Sequence, residues 1–78
     1  KLNNQQLALE FYGQALNLNR VVGDSSGEAS TLSNIGGVYA NLGNNQKSLE
    51  LYNQALLILQ KIGDKEGEAI ALNNIGLV

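Results

Sequence analysis

The stretch LSNIGGVYANLGNNQKSLELYNQALLILQKIGD, from Leu32 to Asp64, determines the fold of this chain. Its two halves each place apolar residues three and four positions apart, which is the spacing of an amphipathic helix. The sequence Gly-Asn-Asn at residues 43–45 separates the halves, and these residue types favour the end of one helix and the start of the next. The stretch is therefore predicted to be two helices joined by a tight turn.

The remainder of the chain repeats this stretch. Residues 1–38 and residues 41–78 align without a gap, and 19 of the 38 aligned positions are identical. A repeat of this length indicates a solenoid, in which each unit buries its apolar face against its neighbours. We expect one solenoid fragment of a longer protein, because the sequence starts and stops within a repeat. Its parts are a half repeat (1–23), a full repeat (24–63) and a half repeat (64–78).

The predicted fold class is all-α, an antiparallel helix–turn–helix solenoid of four helices without a β-strand. Turns of two residues make consecutive helices antiparallel neighbours. Each turn has a glycine suited to left-handed geometry, followed by a residue that can cap the next helix. The first cap is Asn3 or Asn4, and the second is Asp24 or Ser25, where Ser25 would form a capping box with Glu28. The helices are expected at about residues 4–22, 25–42, 45–62 and 65–78.

Composition excludes several classes of protein. The 78 residues carry a net charge of −2 and their five Lys and Arg residues are scattered, whereas binding nucleic-acid phosphates needs clustered cations. The longest apolar run, Ala55–Leu59, is far shorter than the roughly 20 residues of a membrane-spanning helix. The sequence has no cysteine, and we therefore expect a cytoplasmic location; the residues given contain no secretory leader. We expect no interaction with nucleic acid or membrane.

The sequence also lacks the residues of common catalytic and metal sites. Histidine and cysteine are both absent, which removes the usual metal ligands, the imidazole base and the thiol nucleophile. Most of the seven carboxylates fall at helix starts or on polar helix faces, where Asp24 and Asp64 suit capping better than catalysis. We therefore expect no enzyme activity, no metal and no cofactor.

The apolar pattern also predicts which side chains meet between helices. Small residues are expected where the helices of a pair approach closely, and large residues should fill the space around that contact. The predicted helix-packing residues are Gly36, Gly76, Ala8, Ser48, Tyr12 and Tyr52. The residues expected to face inward are Ala29, Leu32, Ile35, Gly36 and Tyr39 in the second helix, and Ala69, Leu72, Ile75 and Gly76 in the fourth.

A characteristic order of residue types runs from Leu32 to Leu56. A large residue (Leu32) is followed by an apolar residue and a glycine (Ile35, Gly36), an aromatic residue (Tyr39) and a second glycine (Gly43). A small residue (Ser48), an aromatic residue (Tyr52) and an Ala-Leu pair (Ala55, Leu56) complete the order. This order resembles the tetratricopeptide repeat, a helix–turn–helix unit of about 34 residues. Leu32 stands where that family often has Trp. Gln60 stands where it often has Pro, so the helix is expected to continue to Ile62. The resulting longer period resembles the extended repeats of kinesin light chains, spindle-orientation adaptors and bacterial Rap-type regulators.

One face of the second helix is small and polar, and its residues are Ser30, Ser33, Asn34, Gly37 and Asn41. The matching face of the fourth helix includes Asn73 and Asn74. The family resemblance implies that this face lines a concave groove, and that Asn34 and Asn74 hydrogen-bond the backbone of a bound peptide. An amide suits this task because it both donates and accepts hydrogen bonds. The simpler alternative is a solvated polar face in a chain rich in asparagine.

We therefore predict a non-enzymatic protein–protein interaction scaffold that binds a peptide or protein segment in its groove. The groove face carries no basic residue, which disfavours recognition of a terminal carboxylate by Lys or Arg. The alternative is a structural unit whose main partner is its own copies. Its end helices would associate head to tail or as a two-fold dimer. The apolar residues expected to be uncovered are Leu9, Tyr12 and Leu16 at one end and Leu72, Ile75 and Gly76 at the other.

Overall fold

The computed structural model describes residues 2–78, so that Lys1, the first residue of the predicted half repeat, lies outside the described residues. Residues 2–78 form four α-helices and contain no strand, which confirms the predicted all-α fold. Consecutive helices pack in series, α1 on α2, α2 on α3 and α3 on α4. The observed boundaries agree with the predicted ones to within one residue: α1 (Asn4–Val22), α2 (Ser25–Asn41), α3 (Asn45–Ile62) and α4 (Lys65–Leu77).

Local hydrogen bonds fix where each helix begins and ends. At the start of α1, the Gln6 N–H donates to Asn3 Oδ1 at 2.8 Å, and Gln6 Oε1 accepts from the Asn3 N–H at 3.0 Å. This reciprocal pair is a capping box. The three turns contain Gly23, Gly43 and Gly63, whose φ angles of 73°, 81° and 76° lie in the left-handed region that favours glycine.

The predicted Ser25–Glu28 capping box is wrong, because Asp24 caps α2. The Gly27 N–H donates to Asp24 Oδ1 at 2.8 Å, and Ser25 becomes the first residue of the helix. A carboxylate at this position also interacts favourably with the positive end of the helix dipole. Glu28 is engaged elsewhere, since its Oε2 accepts from Arg20 Nε at 3.0 Å and so links α2 to the end of α1.

The core is one layer of side chains between neighbouring helices. The described residues form a slab of about 40 × 30 × 16 Å, and α2 and α3 occupy its centre. A slab this thin gives a residue complete cover only where a helix lies directly beside it. The buried core consists of Ala29, Leu32, Ile35, Leu51, Ala55, Leu59 and Ala71.

The contact between α2 and α3 depends on small residues. A Cβ atom added to Gly36 would lie 2.9 Å from Cε1 of Tyr52, so the aromatic ring occupies the space that a side chain would need. Ser48, the first buried residue of α3, is fully enclosed. At Gly76, the counterpart of Gly36, an added Cβ would meet no atom within 4 Å. Gly76 therefore makes no close helix contact within the described residues, contrary to the prediction for it.

Burial in α4 differs from the predicted inward stripe. Leu32 in α2 is 2% exposed, whereas its counterpart Leu72 is 51% exposed. Ala69 and Gly76 are exposed as well, and the buried residue of α4 is Ala71. The reason is that α2 lies between two helices and α4 packs on α3 alone among the described residues. Ala71 faces α3. Leu72, the next residue, points about 100° further round the helix axis, so α3 does not cover it.

The predicted end residues of α1 are also corrected. Leu9, Tyr12 and Leu16 are partly buried and pack against the core, because α2 covers that side of α1. Val22, the last residue of α1, is exposed. The apolar residues of α1 that are exposed to solvent are Leu7, Phe11, Leu18, Val21 and Val22.

One pair of residues between helices is polar in the first copy and apolar in the second. Asn19 Nδ2 donates to Thr31 Oγ1 at 2.8 Å, which joins α1 to α2. At the equivalent positions between α3 and α4 stand Leu59 and Ala71, both buried in the core. A polar group in a helix interface needs a hydrogen-bond partner. Both residues of the pair are therefore polar in the first copy, and both are apolar in the second. No local pattern in the sequence indicates this pairing.

We expect Ser48→Ala to raise the free energy of unfolding by about 1 kcal/mol. Its hydroxyl oxygen is buried and has no hydrogen-bond partner within residues 2–78, and alanine is the better helix former. Alanine is also the natural residue at the counterpart, Ala8. Urea denaturation measures the change, with Ser30→Ala on the exposed surface of α2 as the matched control. A gain no larger than that of the control would contradict a desolvation cost at Ser48.

Candidate functional site

A concave depression of about 750 Å³ lies on one face of the slab between α2 and α4. We call it the groove. The helices α2 and α4 are copies of the same helix of the repeat, and each lines the groove with the same face. The lining residues from these two helices are mostly small or polar: Ser26, Ala29, Ser30, Ser33, Asn34, Gly37, Val38 and Asn41 from α2, and Glu66, Gly67, Ile70 and Asn74 from α4.

Six of the seven residues for which we predicted ligand contacts lie around the groove: Ser30, Ser33, Asn34, Gly37, Asn41 and Asn74. Asn73 does not, and it is exposed outside the groove. Its counterpart Ser33 faces α4 and so lines the groove. Asn73 occupies the corresponding position on the far side of α4, where no described helix continues the surface. Asn73 is thus the one residue of the seven that the structure does not bring to the groove, and its contact with a ligand stays a prediction.

Two tyrosines that were predicted only as packing residues also line the groove. Tyr12 of α1 and Tyr52 of α3 stand at equivalent positions of the repeat and both contribute to its surface. A Cβ added to Gly37 would lie 3.6 Å from the hydroxyl oxygen of Tyr52, so Gly37 leaves this hydroxyl close to the groove. A phenol offers a ligand both an apolar ring and a hydrogen-bonding group. The identical spacing of the two tyrosines was the available sequence signal.

The charged residues of the groove are all acidic. Asp64 and Glu66 line it at the start of α4, and among residues 2–78 no Lys or Arg lines it. Asp64 also caps α4, since its Oδ1 accepts from the Gly67 N–H at 2.9 Å. These two carboxylates oppose the binding of an anionic group at this end of the groove and favour a neutral or cationic one.

The described residues contain no cluster suited to metal coordination. Within residues 2–78 there is no group of three or more His, Cys, Asp or Glu side chains that could hold an ion. In the same part of the chain, none of the helices has the length and apolar character required to cross a membrane. The polar groups that the groove presents are the amides, hydroxyls and carboxylates described above.

Comparison with known proteins identifies the fold family. The sequence profile of the family described as "Tetratricopeptide repeat" matches residues 27–78, which include all of α3 and α4 and most of α2. Neither the curated proteins nor the solved structures gave a match. The profile covers more than half of the chain, and the paired helices, the small residue at the helix contact and the concave face agree with it. The chain belongs to the tetratricopeptide repeat family.

Proposed function

We propose that this chain is a non-enzymatic protein–protein interaction scaffold, and that an extended peptide segment of a partner binds in the groove between α2 and α4. The observation that carries this proposal is the position of two asparagines. Asn34 and Asn74 are counterparts in the repeat, and both line the same groove. An extended peptide presents backbone N–H and C=O groups at regular intervals, and a row of amides spaced by one repeat can pair with them.

The groove also restricts the chemistry of the partner segment. Within the part of the chain that the structure describes, Asp64 and Glu66 are its only charged lining residues, so a lysine or arginine side chain in the peptide is favoured there. A free C-terminal carboxylate would face these two carboxylates and would find no cation among the described lining residues. We infer an internal peptide segment, neutral or basic, as the occupant. Ile70 and the two tyrosines supply the apolar contacts for its side chains.

The period of 40 residues supports a more specific assignment within the family. The third helix continues through Gln60 to Ile62 without a proline. We infer that the chain belongs with the extended repeats of kinesin light chains, spindle-orientation adaptors and bacterial Rap-type regulators. The location inferred for such a scaffold is the cytoplasm, since a chain without cysteine needs no oxidising compartment.

Selection from a library of displayed random peptides tests this proposal, with a selected peptide then measured by calorimetry. Asn34→Ala and Asn74→Ala are each expected to weaken its binding by about 1 kcal/mol, or about fivefold, because each removes one hydrogen bond to the peptide backbone. Asn53→Ala, an equally conservative change on the exposed surface of α3 and outside the groove, should leave the affinity unchanged.

Two results would contradict the proposal. Equal affinity of the parent and of the Asn34→Ala/Asn74→Ala double variant would assign both amides to a solvated surface. A selected peptide that binds more tightly with a free C-terminal carboxylate than with an amidated end would contradict the inferred charge preference. Circular dichroism of each variant, compared with the parent, confirms that the helices are intact.

A further inference from the structure

Tyr52 is almost completely buried, yet its hydroxyl is accessible. The residue is 7% exposed, and its hydroxyl makes no hydrogen bond within residues 2–78. In the same part of the chain, Ser48 Oγ and Glu68 Oε1 are the side-chain atoms that are fully enclosed without a hydrogen-bond partner. The Tyr52 hydroxyl is not among them, so it belongs to the small part of the residue that remains accessible.

Two consecutive glycines of α2 give the Tyr52 side chain this position. Gly36 accommodates the ring, because a Cβ added there would lie too close to it. Gly37 lies beside the hydroxyl, which is 3.6 Å from the place of an added Cβ. Gly37 itself lines the groove, so its missing side chain leaves the hydroxyl open to a ligand. An unpaired polar group on an otherwise buried side chain is therefore directed at the groove.

A second cavity, of about 360 Å³, adjoins the groove where α2 and α4 end and α3 begins. We call it the amide pocket, and its polar lining residues are Asn41, Asn45, Tyr52 and Asn74. All of these except Asn45 line the groove as well, so a ligand in the groove has access to the amide pocket. Within residues 2–78, no charged side chain lines this pocket, and the two carboxylates of the groove are not part of it.

The chemistry of the amide pocket favours one class of side chain. Its polar groups are three carboxamides and a phenol, each of which both donates and accepts hydrogen bonds. A charged side chain would lose its hydration there and find no counter-ion among the described residues. An apolar side chain would cover the phenol hydroxyl and leave it without a partner. A carboxamide offers two N–H donors and an acceptor oxygen, so it can pair with the phenol and with a neighbouring amide together.

We propose that the amide pocket binds the side chain of a glutamine or asparagine in the partner segment, with the Tyr52 hydroxyl as one of its hydrogen-bond partners. The inference rests on the peptide-binding proposal and specifies one side chain of the peptide. Asn74 lines both cavities, so the peptide unit that pairs with Asn74 lies next to the residue whose side chain enters the pocket. Ala40 and Leu77 supply apolar contacts for the methylene groups of that side chain.

Parallel selections of displayed peptides on the parent chain and on Tyr52→Phe test this inference. The parent should enrich glutamine or asparagine at one peptide position, and Tyr52→Phe should lose this enrichment while keeping the rest of the consensus. A peptide selected on the parent should bind Tyr52→Phe about fivefold more weakly, because one hydrogen bond is lost. Replacing its glutamine or asparagine by leucine should weaken binding to the parent by at least about the same factor, and should cost less in Tyr52→Phe.

Tyr39→Phe is the matched control. It also removes a phenol hydroxyl from a partly buried tyrosine, but Tyr39 lines neither cavity, so the affinity should not change. Both phenylalanine variants keep the aromatic ring, and circular dichroism verifies that their helices are intact. Asn41→Ala, at an exposed position of the amide pocket, is a second variant and should weaken binding of the same peptides.

A small probe tests the amide pocket without a selected peptide. N-acetylglutamine N-methylamide, titrated into isotope-labelled protein, should shift the side-chain amide NMR signals of Asn41 and Asn74. The corresponding leucine and glutamate derivatives should not, and Tyr52→Phe should lose most of the effect.

The outcomes separate this inference from the peptide-binding proposal. Selected peptides that show no amide preference and bind parent and Tyr52→Phe equally would overturn the amide pocket and leave peptide binding in the groove intact. A library that yields no peptide would contradict peptide binding itself, and the NMR titration then decides on the pocket alone. An absent shift, or an equal shift with the leucine derivative, would overturn it.

Discussion

Leu32→Ala is expected to lower the free energy of unfolding by about 2–5 kcal/mol. Leu32 is buried between α2 and its neighbours, so truncation removes apolar contacts and leaves a cavity that the helices fill only in part. A domain of this size has a total stability of only about 4–12 kcal/mol. The loss should therefore be visible as a large decrease in the urea concentration at the unfolding midpoint.

The repeat supplies the control for this variant. Leu72→Ala makes the same chemical change at the equivalent position of α4, where the side chain is half exposed, and we expect a change within about 0.5 kcal/mol. Both unfolding experiments should be carried out at a protein concentration at which light scattering gives the mass of a monomer. Equal losses for the two variants would mean that Leu72 is as well covered as Leu32, contrary to the structure.

Gly36→Leu is expected to destabilise the chain by about 1–3 kcal/mol through overpacking. Even the first carbon of the new side chain would lie 2.9 Å from the ring of Tyr52, and the remaining three carbons would have to displace either the ring or the helix. Tyr52 is buried and cannot turn aside freely. Thermal unfolding followed by circular dichroism measures the effect as a lower melting temperature.

Gly76→Leu is the matched variant, and it should not lower the stability of the monomer. No atom of residues 2–78 outside its own stretch of helix lies within 4 Å of its added Cβ, and leucine is the better helix former. The pair thus separates the cost of crowding from the cost of the substitution itself. An unchanged melting temperature for Gly36→Leu would show that Gly36 does not lie at the closest approach of α2 and α3.

The sequence by itself determined the four helices and their ends. Each boundary depends on a few neighbouring residues, such as the Asn44 side chain that accepts from the Lys47 N–H at 3.1 Å and the left-handed Gly43 before it. Such hydrogen bonds are local, so their residue types predict them. Where two local caps competed, at Asp24 and Ser25, the sequence left the choice open, and Asp24 is the one that caps α2.

The groove was predictable only in part, because its walls come from two helices that the repeat places side by side. Asn34 and Asn74 were identified from the repeat, and the family resemblance supplied their predicted role. The position of Asn73 outside the groove depends on α4 having no described helix beyond it. The contribution of Tyr52 depends on Gly37 of a different helix, which leaves the phenol hydroxyl close to the groove.

Tertiary structure alone decided which copy of each repeated residue is buried. Leu32 and Leu72 have nearly the same sequence around them, and so do Gly36 and Gly76, yet their surroundings differ completely. Burial in a solenoid one layer thick depends on the helix that lies alongside, and no local pattern records whether that helix is present. The two helix interfaces also differ in chemistry. Asn19 and Thr31 share a hydrogen bond between α1 and α2, whereas Leu59 and Ala71, at the equivalent positions of α3 and α4, belong to the apolar core. The two members of each pair lie on different helices, so the pairing is visible only in the tertiary structure.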